Sequence, residues 1–521
     1  MPGSIEHHST IVIGSGFGGA VAASTLTEAG ESVLLLERGP WRDTDPVRKA
    51  GIPHRRPLPA GRHLWSGLLH RFGQRWLPGK GLKLSRHGLF DIYLGRDMTV
   101  VASNGVGGGS HVYSAMNTRP EQPDYWDHPE AGIQAAGMEH HYRWMMQRMG
   151  SRRASADDRI PNWTPQAFAH STAFVADDSV PQPAMAICME GCQADYANNS
   201  FFGSANGAKM TLDRAFLLPA MEQGLQVAAE HECLSLWRQP GGGYRLEVMD
   251  HAARRRRYLL ANRVILAAGT LNTLRLLFHS RELGGLEGMP ALGRGFGGNG
   301  DSVAWWGLNQ DGADFTRGTA THGRFALRDP VTGKAQPGPI LTRYGFNGID
   351  TLPLPASLKA FLRRNALLVG MGADLADGVV TWQRGRLRIR YLAENSPVLT
   401  RIQRLFSEVG RRSQRPVRTL PGMAFTVHPL GGARLAASEQ NGVVNGSGQV
   451  FGHPNLYVAD AAALPAAPGT PPSMTIAAWS RHVATGLIRT GHNRKSTGKR
   501  ARRTINTAKP TEANTEQRTP A

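Results

Sequence analysis

Cysteine is almost missing from this 521-residue chain. Three residues permit one internal disulfide at most, which excludes a disulfide-stapled scaffold and fits a reducing compartment. Long apolar runs are missing too: nothing approaches the roughly 18 uninterrupted apolar residues of a membrane-spanning helix. The opening stretch, Met1 to Thr10, has neither the basic start nor the apolar middle of a secretion signal, so a cytoplasmic location is expected. Acid is scarce: 40 Asp and Glu face 60 Lys and Arg, for a net charge of +20. With 40% apolar residues and 62 glycines without a repeat, the chain can build a large core, which rules out general disorder and collagen-like structure.

Part of the positive charge sits in a tail. From Arg494 to Ala521, eight Lys and Arg face Glu512 and Glu516 in a Thr- and Asn-rich stretch with almost no large apolar residue. Such a segment buries too little surface to offset its ordering entropy, so residues 491–521 are expected to form a disordered basic tail. The basic body is compatible with weak contact to anionic membranes. No aromatic residues interleave the basic clusters, so no specific nucleic-acid binding is expected.

The first element is a βαβ unit. Ser9-Thr10-Ile11-Val12-Ile13 reads as a strand, Gly14-Ser15-Gly16-Phe17-Gly18-Gly19 as a turn, and Ala20 to Ala29 as a small-residue helix. A second strand, Ser32 to Leu36, ends in Glu37. In Gly14-x-Gly16-x-x-Gly19, Gly14 permits the tight turn, Gly16 lets backbone approach a pyrophosphate, and Gly19 lets helix and strand pack closely. Glu37, 23 residues beyond Gly14, is placed to accept hydrogen bonds from a ribose and would repel a 2′-phosphate. FAD and NAD both fit at this stage.

A second glycine-rich loop follows at Asn104-Gly105-Val106-Gly107-Gly108-Gly109-Ser110. Its apolar flanks argue for backbone lying against a flat or phosphorylated group. Near the carboxyl end, Asn455 to Asp460 reads as a strand ending in an acid, and Ser473-Met474-Thr475 opens a helix whose amino terminus suits a flavin ring that gains negative charge on reduction. Gly137–Gly150 and Leu212–Gly224 read as helices, Tyr244–Ala268 as a strand, basic turn and strand, and 300–420 as a sheet built over a pocket. Trp65–Leu94 shows no sustained period and reads as loop with short helices.

Four blocks in order, IVIGSGFGGAVAA…LLLERG, NGVGGGSHVYSAMN, VILAAGTLNTLRLL and VHPLGGARL with NLYVADAAALP…PPSMTIAAWSRH, carry a resemblance. The chain resembles the glucose–methanol–choline (GMC) flavoprotein oxidoreductases, and within them the cholesterol-oxidase-like branch. The resemblance implies an α/β (α+β) fold: a Rossmann-type FAD-binding domain with a discontinuous substrate domain holding a mostly antiparallel sheet. The implied FAD-binding parts are 1–135, 231–300 and 423–490, the last with an active-site histidine. The substrate or cap parts are 136–230 and 301–422. The implied chemistry is oxidation of an alcohol, sterol- or terpenoid-like in that branch, by hydride transfer to flavin N5.

Carried over by position, Gly14, Gly16, Gly19 and Glu37 would hold the ADP half. Gly105, Gly107, Gly108, Gly109 and Ser110 would run along pyrophosphate and flavin. Ala268, Gly269, Asp460, Ser473, Met474 and Thr475 would complete the cofactor shell. His428 matches the family's active-site histidine and would take the hydroxyl proton as general base. Met116 and Tyr113 would stand on the substrate side. Departures bear on the substrate: Pro471 occupies the place of the sterol oxidases' active-site asparagine, with Thr470 or Ser473 as replacements, and Tyr113 occupies that of a flavin-lining asparagine. His111 lies near the place where some members attach flavin covalently. Cys188 and Cys192 lack a second ligand pair, so no metal is expected. The electron acceptor stays open between oxygen and another molecule. The alternatives are a dehydrogenase on a non-sterol donor and a non-catalytic, polyanion-binding flavoprotein.

Overall fold

The computed structural model describes residues 5–74, 81–189, 201–419 and 424–505. β-branched and leucine-rich runs at Glu6–Ile13, Val33–Glu37 and Arg255–Leu266 pair in parallel, with Thr10 opposite Val33 and Arg263. Gln226–Ala229 extends this sheet beside Val33–Glu37, and Leu456–Val458 pairs with the end of Arg255–Leu266, both in parallel. Where they meet, Ile11–Ile13, Val33–Leu36, Val264–Leu266 and Leu456–Val458 are buried on both faces and read as apolar runs, as central parallel strands do. Beyond them, His231–Arg238, Tyr244–Asp250 and the start of Arg255–Leu266 form an antiparallel meander. The strand, basic turn and strand expected at 244–268 are therefore present.

The helix Phe17–Glu28 is buried on every side through Thr27. It packs between the parallel sheet and the C-terminal helix Ser473–Ile505, which in turn contacts Ala135–Arg148. An all-round apolar helix is stable only in such a position. The C-terminal helix runs past position 491, where the sequence reading began a disordered tail; its Lys and Arg are good helix formers. Residues 506–521, and Cys192, lie outside the described residues. Cys188 is a free, exposed thiol.

A second, antiparallel sheet orders Val417–Thr419, Ser302–Trp306, Ala366–Gly370, Leu341–Tyr344, Thr321–Leu327 and Phe174–Val175. Its period of two divides its work. Ala304, Trp306 and Leu368 pack under the helix Pro397–Ser413, while Val303, Leu367 and Val369 face a cavity. A third sheet corrects the expectation for 65–94. Leu69–Gln74, Phe90–Leu94 and Met98–Ser103 are strands, with Ala424–Thr426 pairing in parallel on Met98–Val100. Their glycines and mixed charges hide the alternation, although Leu69–Gln74 pairs with Phe90–Leu94 and Phe90–Leu94 with Met98–Ser103.

Candidate active site

One cavity of about 590 Å³ runs from the first glycine turn to the antiparallel sheet. At one end, Gly14 takes φ +98°, and a Cβ there would lie 2.3 Å from the Ala267 carbonyl oxygen. At Gly19 a Cβ would lie 1.8 Å from the carbonyl oxygen of Gly14, so strand and helix meet there without room for a side chain. Gly16 differs: a Cβ would meet nothing within 4 Å, and the position lines the cavity. It is the N-cap of Phe17–Glu28, with no side-chain cap and no acid in the first turn. The helix's free N–H groups and positive end therefore face open space, the arrangement that receives a phosphate.

Glu37 lines the same end and is 8% exposed. One carboxylate oxygen accepts from Ser15 N (3.0 Å) and Ser15 Oγ (2.6 Å), the other from Gly39 N (2.7 Å). Oε2 is filled by its two Ser15 donors, whereas Oε1, with one donor, keeps a lone pair for a further donor. Ser15 Oγ in turn accepts from Gly107 N at 3.1 Å, locking the two glycine loops together. Gly105, Gly108 and Gly109 line the cavity, whereas Gly107 and Ser110 do not; Ser110 Oγ instead donates to Gly107 O at 2.7 Å and braces the turn. Ala268 and Gly269 also line it.

Asp460 sits in the floor. It accepts from Gly269 N (2.9 Å), Thr273 Oγ1 (2.5 Å) and Ala462 N (2.9 Å), and burial pushes its carboxyl up to about 6 against these stabilising donors. At the start of the last helix, Ser473 lines the cavity, but Met474 and Thr475 are buried behind it, with Thr475 Oγ1 accepting from Tyr142 OH at 3.2 Å.

At the far end stands His428, just beyond the strand Ala424–Thr426. Its loop is fixed by paired backbone bonds between Leu430 and Gly297 and by Gly431 N donating to Ala461 O at 2.9 Å. Nδ1 of His428 lies 2.9 Å from Asp301 Oδ1. Met116 and Tyr113 line the wall. Tyr113 donates to Met210 O at 2.7 Å, and burial raises its phenol far above the ordinary range, so it stays protonated. Lys209, behind it, donates to Tyr113 O at 3.0 Å and is lowered by burial to about 7.

Pro471 lines the cavity, but Thr470 does not, contrary to its proposed substrate-side role: its hydroxyl donates outward to Arg119 O at 2.7 Å. Ser473 Oγ faces the cavity and donates to Met116 O at 3.3 Å. His111, weighed for covalent attachment, is buried outside the lining with Nε2 donating to Val106 O at 2.8 Å. Sequence reading missed Asp301 and Tyr344. The latter's hydroxyl lies 3.3 Å from Ser114 Oγ at the cavity wall. Neither carries a local motif: Tyr344 ends the strand Leu341–Tyr344, and Asp301 immediately precedes Ser302–Trp306. Among the described residues no cluster of three or more His, Cys, Asp or Glu could hold a metal, and no helix is long and apolar enough to cross a membrane.

A glycine-lined cleft at a parallel sheet, opening under an antiparallel sheet with a histidine at the junction, defines a dinucleotide-dependent oxidoreductase architecture. The chain belongs to the GMC oxidoreductase family, whose N-terminal profile matches residues 9–294 and whose C-terminal profile matches 410–480. Members are FAD-binding enzymes that act on CH–OH groups. The chain is 25% identical to a cholesterol oxidase of Acinetobacter baumannii, over 91% of this chain and 93% of that one. It is 26% identical to a cholesterol oxidase of Mycobacterium tuberculosis, over 92% and 90% respectively. Pyridoxine 4-oxidase from Mesorbium loti shares the fold at 16% identity, with a TM-score of 0.55 over 92% of this chain and 99% of that one.

Proposed function

We propose that this protein binds FAD non-covalently and oxidises an apolar primary or secondary alcohol, sterol- or terpenoid-like, with His428 as the general base. The observation that carries the reading is the continuity of one cavity from Gly16 and Glu37 to His428. The residues present fit FAD. Gly16 and Gly269 leave open space where a Cβ would stand, and an uncapped helix N-terminus faces that space. Glu37 would take the ribose hydroxyls, Gly105, Gly108 and Gly109 would lie along the pyrophosphate and flavin, and Asp460 and Ser473 would border the ring end. When bound, FAD supplies the hydride acceptor.

The chain's own residues do the rest. Val303, Leu367, Val369, Met371 and Phe201 offer an apolar seat that excludes water from the alcohol. His428 accepts the hydroxyl proton at Nε2. Pro471 brings neither donor nor acceptor side chain to the substrate oxygen, so His428 carries the polar recognition that the sterol oxidases divide between two residues. The relatives named as oxidases support oxygen as the electron acceptor. The changed residue at Pro471 favours, as the second reading, a dehydrogenase with another acceptor on a non-sterol donor; peroxide formed in proportion to alcohol consumed separates the two. The decisive variant is His428→Ala. It should keep bound FAD but slow its anaerobic reduction by alcohol at least about a hundredfold; an unchanged rate refutes the base.

A further inference from the structure

His428 does not stand alone. Asp301 begins the lead into Ser302–Trp306 of the antiparallel sheet, and His428 follows a strand of the third sheet, 127 residues on. The Asp301 side chain is 3% exposed, that of His428 20%. Asp301 Oδ2 accepts from Thr426 Oγ1 at 2.9 Å and from Val427 N at 3.0 Å. Thr426 Oγ1 also accepts from His428 N at 2.8 Å. The carboxylate is thus bound to three successive residues of the segment that presents the imidazole.

The loop that carries Asp301 is itself pinned. Asn299, fully buried, donates from Nδ2 to Thr470 O (3.0 Å) and accepts at Oδ1 from Gly469 N (3.0 Å). Gly298 N donates to Asp374 Oδ2 at 2.8 Å. The Asn299–Asp301 run therefore ties the substrate sheet, the histidine and the Pro471 turn into one unit. Other ionisable groups facing Asp301 are Asp374 and Tyr344. Burial raises both, and the Asp301 charge adds to each.

Donor counting settles which way the ring hydrogen points. An ionised carboxylate only accepts, so the imidazole nitrogen 2.9 Å from Oδ1 must carry a hydrogen. A neutral imidazole has one N–H, so the other nitrogen, Nε2, is the bare acceptor. Nε2 has no hydrogen-bond partner among the described residues, and His428 lines the cavity.

We infer that Asp301 is the positioning residue of this site: it holds His428 in the Nδ1–H tautomer with Nε2 facing the substrate hydroxyl, and its charge faces the imidazolium after proton transfer. The inference rests on the proposed role of His428 as base. In the step concerned, the hydroxyl O–H bond breaks and the Nε2–H bond forms. The Nδ1 hydrogen stays on the ring. With Pro471 unable to share the substrate oxygen, the orientation of this single acceptor decides whether the alcohol is held for reaction. A histidine free to swap tautomers would spend part of its time presenting a donor instead.

The test uses FAD-loaded protein with ¹⁵N-labelled histidine, the His428 signals being assigned by their loss in His428→Gln. Wild type should show a protonated Nδ1 and a bare Nε2 in the neutral ring. Asp301→Ala should give a mixture of tautomers or the opposite one. Asp301→Ala and Asp301→Asn should lower the limiting rate of anaerobic FAD reduction by at least about tenfold, with substrate dissociation changed by less than about threefold. A wild-type His428 protonated at Nε2 overturns the proposal, even if both variants fail to fold. So does an Asp301→Ala protein that keeps both the wild-type tautomer and the wild-type reduction rate. Failure of the base reading is separate: it shows as an undiminished reduction rate in His428→Ala, whatever the tautomer.

Discussion

Asp460 meets three hydrogen-bond donors and no cationic side chain among the described residues, and burial still outweighs them, raising its carboxyl from 3.8 to about 6. A carboxyl with a raised folded pKa binds its proton more tightly in the native state. Its contribution to stability is therefore full below about pH 4 and is lost as pH climbs through about 6. A shift near two units corresponds to on the order of 3 kcal/mol. Melting curves of the FAD-free protein between pH 4 and pH 7 should show wild type losing about that much relative to Asp460→Asn; parallel curves would contradict the assignment. At the same scale, legibility in the sequence depended on locality. Glu37 was readable because its partners, Ser15 and Gly39, lie in the same βαβ unit. Asp301 was not, because its partner is 127 residues away and nothing in Gly300-Asp301-Ser302 marks it. Thr470 looked available for substrate, yet the turn points its hydroxyl at Arg119 O.

At the scale of the element, the three glycines of the first turn separate into two jobs. Gly19 is a packing residue: Gly19→Ala puts a methyl 1.8 Å from a backbone oxygen, so the strand and helix must move apart. The expected loss is at least about 1–3 kcal/mol, read by chemical denaturation of the FAD-free protein. Gly16 is a space-keeping residue: Gly16→Ala meets no protein atom within 4 Å, so stability should stay within about 0.5 kcal/mol of wild type. FAD affinity should nevertheless fall at least about tenfold by titration, because the methyl occupies the space at the helix N-terminus. Equal effects of the two changes would contradict this division. The same turn explains why the Rossmann unit could be read from sequence: residue chemistry, periodicity and spacing all lie within Glu6–Glu37. The sheet formed by 69–103 reads as loop because glycines and charges interrupt its alternation; its strands pair mainly with one another, and Ala424–Thr426 from the other end of the chain adds an edge.

For the molecule as a whole, the site is a junction. The parallel sheet supplies the glycine cleft, the antiparallel sheet supplies the apolar wall and Asp301, and the segment after Ala424–Thr426 supplies His428. The last described residue in that lining is Ile476. Deleting residues 494–521 should leave FAD content and alcohol turnover within about twofold of the full chain, while any binding to anionic vesicles weakens; lost FAD would show instead that the tail supports the fold. The nucleotide-binding sheet was legible from the motif blocks, and the sheet over the cavity from the strand-like pattern of 300–420. The substrate was not, since the wall is built from single residues on strands that meet only in three dimensions. The proposed function requires one cavity to hold FAD and the alcohol together beside His428. Its most direct test is anaerobic mixing of purified, FAD-reconstituted protein with a panel of steroids and terpenols while the flavin absorbance is followed. The account predicts a yellow protein that bleaches with at least one of these alcohols, and does so at least about a hundredfold more slowly in His428→Ala; a protein that refuses FAD, or a variant that bleaches as fast as wild type, contradicts it.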